Sequence, residues 1–209
     1  MVKTVILPDN PSPIINVIIP ALNEEAVIGD VVSSLPLDPS NIIVVDNGSV
    51  DETANVARKA GAQVIHVPIA GYGRACLAGI EQASEANIIV FMDGDGADDP
   101  ADFSKIIEPI ITGRADLVIG SRLSGDVDQG ALTLPQQMGN RLACFFMRHL
   151  WHGEFTDLGP FRAIRCSSLT QLNMSAKTYG WTVEMQTRAL KLGLRCEEVP
   201  VHYLSLIHI

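Results

Sequence analysis

The chain has 209 residues, enough for one domain with a substantial buried core. Acidic side chains outnumber basic ones by 24 to 15, and the net charge of −9 argues against a nucleic-acid-binding surface, which needs a basic face. The four cysteines form no C-x-x-C pair, so neither a zinc site nor a redox motif is indicated, and we expect a reduced, cytoplasmic protein. We also expect neither a signal peptide nor a membrane span, because no apolar run reaches about 18 residues.

After a proline-containing leader at residues 1–13, apolar strands alternate with helical segments. The predicted strands are IINVIIP, NIIVVD, AQVIHV, NIIVFMD and ADLVIGS. The predicted helices between them are NEEAVIGDVVSSL, DETANVARKAG with Gly61 just beyond its end, GRACLAGIEQAS and PADFSKIIEPIITG. Strands that are apolar on both faces and are joined by helices predict an α/β fold, with a mostly parallel central sheet and helices on both faces.

The pattern changes at about Ser124. A polar loop, SGDVDQGALTLP, precedes a predicted helix, QQMGNRLACFFMRHLW. FRAIR, a helix near SLTQL, the helical GWTVEMQTRALKLG and LRCEEVPVHY then form a smaller α+β portion. We expect residues 124–203 to pack over the strand ends within the same domain and to build the site of a second substrate.

Polar residues follow four of the predicted parallel strands. In such sheets ligands bind at the carboxyl ends of the strands, which lie along one edge. The residues that the pattern brings to this edge are Asn23 and Glu24, then Asp46, Asn47 and Ser49, then Asp93 and Asp95, and finally Ser121 and Arg122.

The segment DGDGADDP concentrates carboxylates, with Asp93, Asp95, Asp98 and Asp99 followed by Asp102. Such crowding becomes favourable when a cation lies among the carboxylates. Asp93 and Asp95 are two residues apart in extended backbone, so both can project to one side and offer part of the shell of Mg²⁺ or Mn²⁺, which a diphosphate completes. The alternative is a solvated Asp-Gly turn.

Other metal and phosphate motifs fit this chain poorly. An EF-hand beginning at Asp93 needs Asp or Asn at its fifth place, Gly at its sixth and Glu at its twelfth, but these are Ala97, Asp98 and Ser104. A phosphatase of the haloacid dehalogenase type would have its acidic motif on the first strand. A dinucleotide fingerprint at GYGRAC would need glycine in place of Cys76 and would follow the first strand.

Three further motifs have both a structural and a functional interpretation. Gly71 and Gly73 either form a loop before a helix or let Arg74 approach a phosphate. Ser49 or Asp51 is expected to cap the following helix. Asn23 is either an N-cap or part of a nucleotide site.

Taken together, IIPALNEE, VVDNGSVDET, GYGRACLAG, FMDGDGADDP and GSR, in this order and spacing, resemble the family 2 glycosyltransferases of GT-A fold, closest to the polyprenyl-phosphate branch that includes dolichyl-phosphate mannose synthase. The match covers residues 14–203. The resemblance implies inverting transfer of a sugar from a UDP- or GDP-sugar, with Mg²⁺ or Mn²⁺, to a polyprenyl phosphate. It makes residues 14–123 the nucleotide-sugar-binding half and residues 124–203 the acceptor-side half, and it allows peripheral association with the cytoplasmic face of a membrane.

The resemblance also assigns roles by position. It makes Asp93 and Asp95 the metal ligands and Asp95 and Arg122 the catalytic residues. A hydroxyl acceptor would need a base, for which Asp157 and Glu184 are the candidates. The residues implied in nucleotide-sugar binding are Pro20, Ala21, Asn23, Glu24, Asp46, Gly73, Arg74, Asp93, Gly94, Asp95, Arg122 and Arg141.

The chain departs from the family pattern at three places, one of which is DGDGADDP, where family members commonly have an alanine or similar residue with Gln after the metal motif. Asn47 stands where family members commonly have a second aspartate, and the end, LSLIHI at residues 204–209, replaces an expected basic loop with a Ser-Lys pair. We therefore expect residues 204–209 to be a non-native or truncated tail. Two alternatives stay open: a soluble glycosyltransferase with a hydroxyl acceptor, and a nucleotide-sugar-binding protein inactivated by truncation.

Overall fold

One seven-stranded sheet organises the molecule. The structure, a computed structural model, describes residues 13–83, 85–122 and 134–204, with residues 134–137 as backbone alone. The predicted leader up to residue 12, most of the loop that begins at Ser124, and residues 205–209 lie outside the described ranges. Within these ranges no helix combines the length and the hydrophobicity needed to cross a membrane.

The strands lie in the order β3-β2-β1-β4-β6-β5-β7. β1, β2, β3 and β4 are mutually parallel, β6 is antiparallel to both β4 and β5, and β7 is parallel to β5. β5 therefore runs in the same direction as β4. The strand bounds are β1 Ile15–Ala21, β2 Ile42–Asp46, β3 Gln63–His66, β4 Ile88–Phe91, β5 Leu117–Ser121, β6 Arg162–Arg165 and β7 Cys196–Pro200.

Helices cover both faces of this sheet, as the apolar strands predict. Alternate strand residues point to opposite faces, so Val17 and Ile19 of β1 belong to one apolar core and Ile18 to the other. Three helices supply the first core, α1 Ile28–Ser34, α2 Thr53–Lys59 and α4 Phe103–Ile111. Four supply the second, α3 Tyr72–Gln82, α5 Leu134–Trp151, α6 Cys166–Leu172 and α7 Gly180–Lys191.

The α/β architecture and the mostly parallel sheet are confirmed, one helix start needs correction, and the structure favours Asp51 over Ser49 at the start of α2. Helix α1 begins at Ile28 and not at residue 23, because Asn23 has a φ of 59° that a right-handed helix does not accept. Ser49 does not cap α2, since its hydroxyl accepts a hydrogen bond from the Asn23 amide. At the start of α2, the Asp51 carboxylate instead accepts a hydrogen bond from the Thr53 amide at 3.0 Å.

The second half of the chain is built into the same sheet. β6 fills the place between β4 and β5, and β7 forms the edge beyond β5. As a result, the loop that precedes β6 and the residues that follow β7 both come to the carboxyl ends of β4 and β5. The assignment of separate nucleotide and acceptor halves stays a prediction.

Gly79 makes the packing of α3 on β1 specific. A Cβ atom at this position would lie 2.4 Å from Cγ2 of Ile18, a fully buried side chain. We expect Gly79→Ala to lower the free energy of unfolding by about 2 kcal/mol, because overpacking forces the helix away from the sheet. Urea denaturation followed by circular dichroism measures the change.

Gly180→Ala is the matched control. Among the described residues no heavy atom lies within 4 Å of a Cβ built at Gly180, and alanine favours a helix over glycine. This variant should be as stable as the parent or slightly more so. Equal losses in both variants would contradict the close-packing argument.

Candidate functional site

A cavity of about 820 Å³ opens at the carboxyl ends of β1, β2, β4 and β5. Its size suits a nucleotide or a molecule of similar bulk. Seven of the residues implied by the sequence line it: Pro20, Ala21, Glu24, Asp93, Gly94, Asp95 and Arg122. The other lining residues are Leu22, Asn47, Ala70, Gly71, Tyr72, Gly139, Asn140, Leu158, Pro160, Thr178, Tyr179, Thr182 and Tyr203.

Carboxylates form one wall of this cavity. Asp98 lies beneath Asp93 and is buried, and its Oδ2 accepts a hydrogen bond from the Asp93 amide at 3.2 Å. Burial and the charge of Asp95 raise the pKa of Asp93 to about 6. Burial and the charge of Asp93 raise the pKa of Asp98 well above its usual range. One buried oxygen of each of these two side chains has no partner with hydrogen-bond geometry in the described residues, although the Tyr72 hydroxyl lies near enough to Asp93 to lower its pKa.

Glu24 extends the acidic wall from the end of β1. Burial, together with the charges of Asp95 and Asp51, raises the pKa of Glu24. Its backbone is held in place, because its amide donates to Thr53 Oγ1 at 2.7 Å and its carbonyl accepts from the Val27 and Ile28 amides. The wall therefore concentrates negative charge on backbone that is already fixed.

Arg122 provides positive charge on the cavity surface. Its Nε and Nη2 each donate to a different oxygen of Asp157 at 2.9 Å, and its amide donates to the same carboxylate at 2.8 Å. Asp157 also accepts from Asn140 Nδ2 at 2.7 Å and from the Leu158 amide at 2.7 Å. Burial raises the pKa of Asp157, but these hydrogen bonds and the Arg122 charge outweigh burial and hold its pKa below the usual range.

The segment after β7 closes this side of the cavity. The guanidinium carbon of Arg122 lies 5.2 Å from the centre of the Tyr203 ring, and Tyr203 forms a β-bridge with Asp98. Leu204, the first residue of the proposed tail, donates its amide to the Ala97 carbonyl at 2.8 Å. Residues 203 and 204 thus form backbone contacts with residues 97 and 98 of the DGDGADDP segment.

Asn47 fixes the loop between β3 and α3. Its Nδ2 donates to the carbonyls of Val67 and Ile69, at 3.2 and 3.0 Å, and its Oδ1 accepts from the Gly71 amide at 2.7 Å. An aspartate cannot make the two donations, so the departure from the family pattern has a structural role here.

Two implied nucleotide residues lie beside the cavity without lining it. The Asp46 carboxylate accepts from the Ser49 amide at 3.0 Å and lies 2.8 Å from His66 Nδ1. Burial raises the pKa of Asp46, but these contacts outweigh it and lower the pKa. Asn23 Oδ1 accepts from the Val50 amide. In the described structure both side chains stabilise the loop that follows β2.

Gly73, Arg74 and Arg141 are likewise absent from the cavity lining. Gly73 is buried where a Cβ would lie 2.1 Å from the Ala176 carbonyl oxygen, so it permits close packing of α3. Arg74 donates to the Ala70 carbonyl. Arg141 is exposed on α5, next to the lining residue Asn140. Their implied roles in phosphate binding stay predictions.

The two candidate bases have different surroundings. Asp157 is fully buried beneath Arg122 and behaves as the anchor of that arginine. Glu184 does not line the cavity; it accepts from the Ser175 and Ala176 amides and pairs with Arg188 at 2.7 Å. The described contacts of both carboxylates therefore fit structural roles.

A second acidic cluster lies beside the first. Side-chain ligand atoms of Asp99, Asp102 and His202 lie within 4.8 Å of one another. Asp102 also pairs with Lys105 at 2.6 Å. Two carboxylates and an imidazole suit Mn²⁺, so this cluster is a second candidate for a metal site. Asp99 and Asp102 are evident in the acidic segment of the sequence, but His202 is not, because it lies 100 residues after Asp102.

A cluster of aromatic side chains, two of which line the cavity, was also missed from the sequence. Tyr72 stacks on Tyr179 with ring centres 6.1 Å apart, and Tyr72 also contacts Trp181 edge to face. Beneath them, Arg162 is fully buried and donates to the carbonyls of Gly159, Leu158 and Thr182. No spacing rule links these residues, because they come from β6 and from two helices on one face of the sheet.

The chain belongs to glycosyl transferase family 2, whose model matches residues 16–172. This confirms the resemblance read from the motifs and makes the protein a glycosyltransferase by family. It is 31% identical to glycosyltransferase AglJ of Haloferax volcanii over 189 residues, which are 90% of this chain and 62% of that protein. The chain thus spans less than two thirds of AglJ.

Two other relatives carry more specific names. The UDP-N-acetylglucosamine–dolichyl-phosphate N-acetylglucosaminyltransferase of Methanococcus voltae is 33% identical over 213 residues, covering 90% of this chain and 84% of that enzyme. Glucosyl-3-phosphoglycerate synthase of Mycobacterium tuberculosis, solved with Mn²⁺, UDP-glucose and phosphoglyceric acid, superposes with a TM-score of 0.72 at 27% identity. That superposition covers 92% of this chain and 72% of the solved one, and it confirms the GT-A fold.

The Arg122–Asp157 pair should be important for stability. We expect Asp157→Asn to lower the free energy of unfolding by about 3 kcal/mol at pH 7, because it leaves a largely buried guanidinium without its counter-charge. The folded-state pKa of Asp157 lies below the unfolded one, so its stabilisation is complete above about pH 4 and is lost as pH falls through the folded pKa. Urea denaturation at a series of pH values measures the difference.

The exposed pair Arg114–Glu108 is the matched control. Both side chains are about half exposed, so Glu108→Gln should cost less than about 1 kcal/mol. If Asp157→Asn is no more destabilising than Glu108→Gln, the pair is not the anchor described above.

Asn47→Asp tests the loop contact. It removes two hydrogen-bond donations and turns a carboxylate toward the Val67 and Ile69 carbonyls, so we expect a loss of about 2 kcal/mol in the free energy of unfolding. Asn87→Asp is the control, because the Asn87 Oδ1 accepts from the Ile14 amide and an aspartate preserves that bond. Thermal unfolding of both variants measures the effect, and equal stability would contradict it.

Proposed function

We propose that the protein transfers a sugar from a UDP- or GDP-sugar to a polyprenyl phosphate, with inversion at the anomeric carbon and with bound Mg²⁺ or Mn²⁺. The observation that carries this proposal is the cavity at the strand ends, where Asp93, Asp95 and Glu24 form an acidic wall and Arg122 supplies positive charge. We place the reaction at the cytoplasmic face of a membrane, and the four free cysteines agree with a reducing compartment.

The chemistry of the acidic wall favours a metal. Carboxylate oxygens are the ligands that Mg²⁺ and Mn²⁺ prefer, and Asp93 and Asp95 would hold the ion. Two observations support the fit: an oxygen of Asp93 and one of Asp98 are buried without a hydrogen-bond partner in the described ranges, and the pKa of Asp93 is raised to about 6. When bound, the metal stabilises negative charge on the diphosphate of the donor.

Arg122 would contribute to the same stabilisation. Departure of a nucleoside diphosphate leaves negative charge on its β-phosphate, and a fixed cation stabilises that charge without reorganising during the reaction. The bidentate contact with Asp157 and the ring of Tyr203 hold the guanidinium in place before substrate binds. The proposed roles are therefore charge stabilisation for Arg122 and positioning for Asp157.

The acidic residues of the cavity favour a phosphate acceptor over a hydroxyl. A phosphate monoester is already an anionic nucleophile, whereas a hydroxyl needs a base to remove its proton. The acids on the described cavity surface are Glu24, Asp93 and Asp95; we assign Glu24 to the nucleotide and the other two to the metal. Asp157 and Glu184 are engaged elsewhere. The dolichyl-phosphate enzyme among the relatives agrees with this choice.

A soluble enzyme with a hydroxyl acceptor is the second candidate. The similarity to glucosyl-3-phosphoglycerate synthase, solved with phosphoglyceric acid, favours it. The two candidates differ in what stimulates release of the nucleoside diphosphate. Release that depends on a polyprenyl phosphate supports the first candidate, and release that depends on 3-phosphoglycerate supports the second.

The first experiment is calorimetric titration of UDP and GDP into the protein, with and without Mn²⁺. We expect binding of one nucleotide that Mn²⁺ strengthens at least tenfold, because the ion neutralises charge between the diphosphate and the acidic wall. Asp95→Asn should abolish the strengthening. His202→Ala shows whether the Asp99–Asp102–His202 cluster contributes to the same ion.

Asp30→Asn is the control for these titrations. Asp30 is exposed on α1, so the variant loses the same charge as Asp95→Asn away from the cavity. It should bind nucleotide and Mn²⁺ like the parent. Nucleotide binding that is indifferent to Mn²⁺ and to Asp95→Asn would refute the proposed metal site.

A further inference from the structure

The Tyr72 hydroxyl is a buried polar atom at the cavity. Tyr72 is the first residue of α3 and lines the cavity. Its hydroxyl oxygen is buried, and no group in the described residues meets it with hydrogen-bond geometry. Burial of a hydroxyl without such a partner costs free energy, so a hydroxyl in this state beside a binding cavity is a candidate for a functional role.

Asp93 is a neighbour of this hydroxyl. Burial and the charge of Asp93 raise the pKa of Tyr72 well above its usual range. Burial and the charge of Asp95 raise the pKa of Asp93, and the Tyr72 hydroxyl offsets part of that rise. Asp93 Oδ1 is itself buried and also lacks a partner with hydrogen-bond geometry in the described ranges. A donor and an acceptor, both buried and neither satisfied there, therefore lie close to each other.

The Cys76 thiol is another polar neighbour of the hydroxyl, but it is the weaker acceptor. Cys76 lies one turn further along α3 and is fully buried. Burial raises the pKa of its thiol, and the Tyr72 hydroxyl opposes that rise. A thiol accepts hydrogen bonds weakly, whereas hydrogen bonds to a carboxylate are strengthened by its charge. Asp93 is therefore the better acceptor for the single proton of Tyr72.

The ring of Tyr72 is held on two sides, which fixes the position of its hydroxyl. Tyr179 stacks on this ring with centres 6.1 Å apart, and Trp181 contacts it edge to face at 6.2 Å. Trp181 is fully buried and packs on Phe91, the last residue of β4, with ring centres 4.6 Å apart. Asp93 follows Phe91 by two residues. The hydroxyl and the carboxylate are therefore both anchored to one packed aromatic cluster.

The backbone on either side of Tyr72 is also held. The Gly71 amide donates to Asn47 Oδ1 at 2.7 Å, and the Arg74 amide donates to the Lys177 carbonyl at 3.2 Å. The first turn of α3 is thus attached both to the loop after β2 and to the segment before α7. The hydroxyl reaches the acidic wall from a preformed position.

We propose that Tyr72 is a positioning residue for metal binding, whose hydroxyl donates a hydrogen bond to Asp93 when that carboxylate holds the cation. This inference rests on the proposed function, which makes Asp93 and Asp95 the metal ligands. It adds a residue from α3, outside the acidic segment, that sets the affinity for the metal. Carboxylates that bind metals are commonly hydrogen-bonded themselves, and loss of such a partner weakens metal affinity by roughly 10- to 100-fold.

The test is Tyr72→Phe, which removes only the hydroxyl. Mn²⁺ is titrated into the protein in the presence of UDP or GDP, whichever binds, and the free ion is quantified by its electron paramagnetic resonance signal. We expect the dissociation constant of Mn²⁺ to rise about tenfold or more. Nucleotide binding without Mn²⁺, measured by calorimetry, should not change, because the hydroxyl acts on the metal ligand and not on the nucleotide.

The stability of the metal-free variant separates positioning from a purely structural role. Phenylalanine keeps the ring and its packing, and it removes a buried hydroxyl that has no partner with hydrogen-bond geometry in the described residues. The urea midpoint of Tyr72→Phe should therefore equal or exceed that of the parent. A lower midpoint with unchanged Mn²⁺ affinity would show that the hydroxyl serves the fold alone, and it would overturn the inference.

Ser168→Ala is the control. Ser168 is buried on α6, which packs on the same face of the sheet as α3, and it does not line the cavity. This variant also loses one hydroxyl from a buried residue, and it should bind Mn²⁺ and nucleotide like the parent.

The remaining outcomes distinguish this inference from the proposed function. If the parent binds Mn²⁺ and Tyr72→Phe binds it equally well, the inference is overturned and the proposed metal site stands. If nucleotide binding without Mn²⁺ weakens as much as binding with it, Tyr72 contacts the nucleotide and the positioning role is wrong. A parent that binds nucleotide but no Mn²⁺ overturns the proposed metal site and the inference with it.

Discussion

The ion pair between Arg122 and Asp157 is the contact on which the cavity depends. Arg122 follows β5, whereas Asp157 lies in the segment between α5 and β6, so the pair joins the parallel part of the sheet to the second half of the chain. Asn140 from α5 donates to the same carboxylate, and the Gln186 side chain from α7 donates to the Asp157 carbonyl. Two helices, a strand end and a loop therefore meet at one buried residue.

The basic and acidic side chains of the cavity differ in whether they have a partner of opposite charge. Asp157 pairs with Arg122 and orients its guanidinium, whereas neither Asp93 nor Asp98 forms an ion pair with a basic side chain in the described residues. Burial and mutual repulsion raise the pKa values of these two carboxylates. The acidic wall therefore favours binding of a cation, whereas Arg122 already has its counter-charge in Asp157.

Much of the fold follows from sequence pattern alone. Runs such as IIVVD and NIIVF are apolar on both faces, and in a chain of this length they are buried only in a parallel sheet that helices cover. The polar residues after these runs then had to meet at one edge, and Asp93, Asp95, Glu24 and Arg122 do so. The start of α1 could not be predicted from periodicity, because the positive φ of Asn23 and the turn after it delay the helix.

The sequence by itself determined the layered architecture, the family and the acidic end of β4, because periodicity and short motifs record local geometry and the direction of strands. The tertiary structure alone decided that β6 lies antiparallel between β4 and β5, that Asp157 supports Arg122, and that His202 joins Asp99 and Asp102. These contacts join residues 35 to 103 positions apart, and their partners depend on how helices and loops pack over the sheet. No local spacing encodes that packing, since it is set by the shape and burial of many side chains at once.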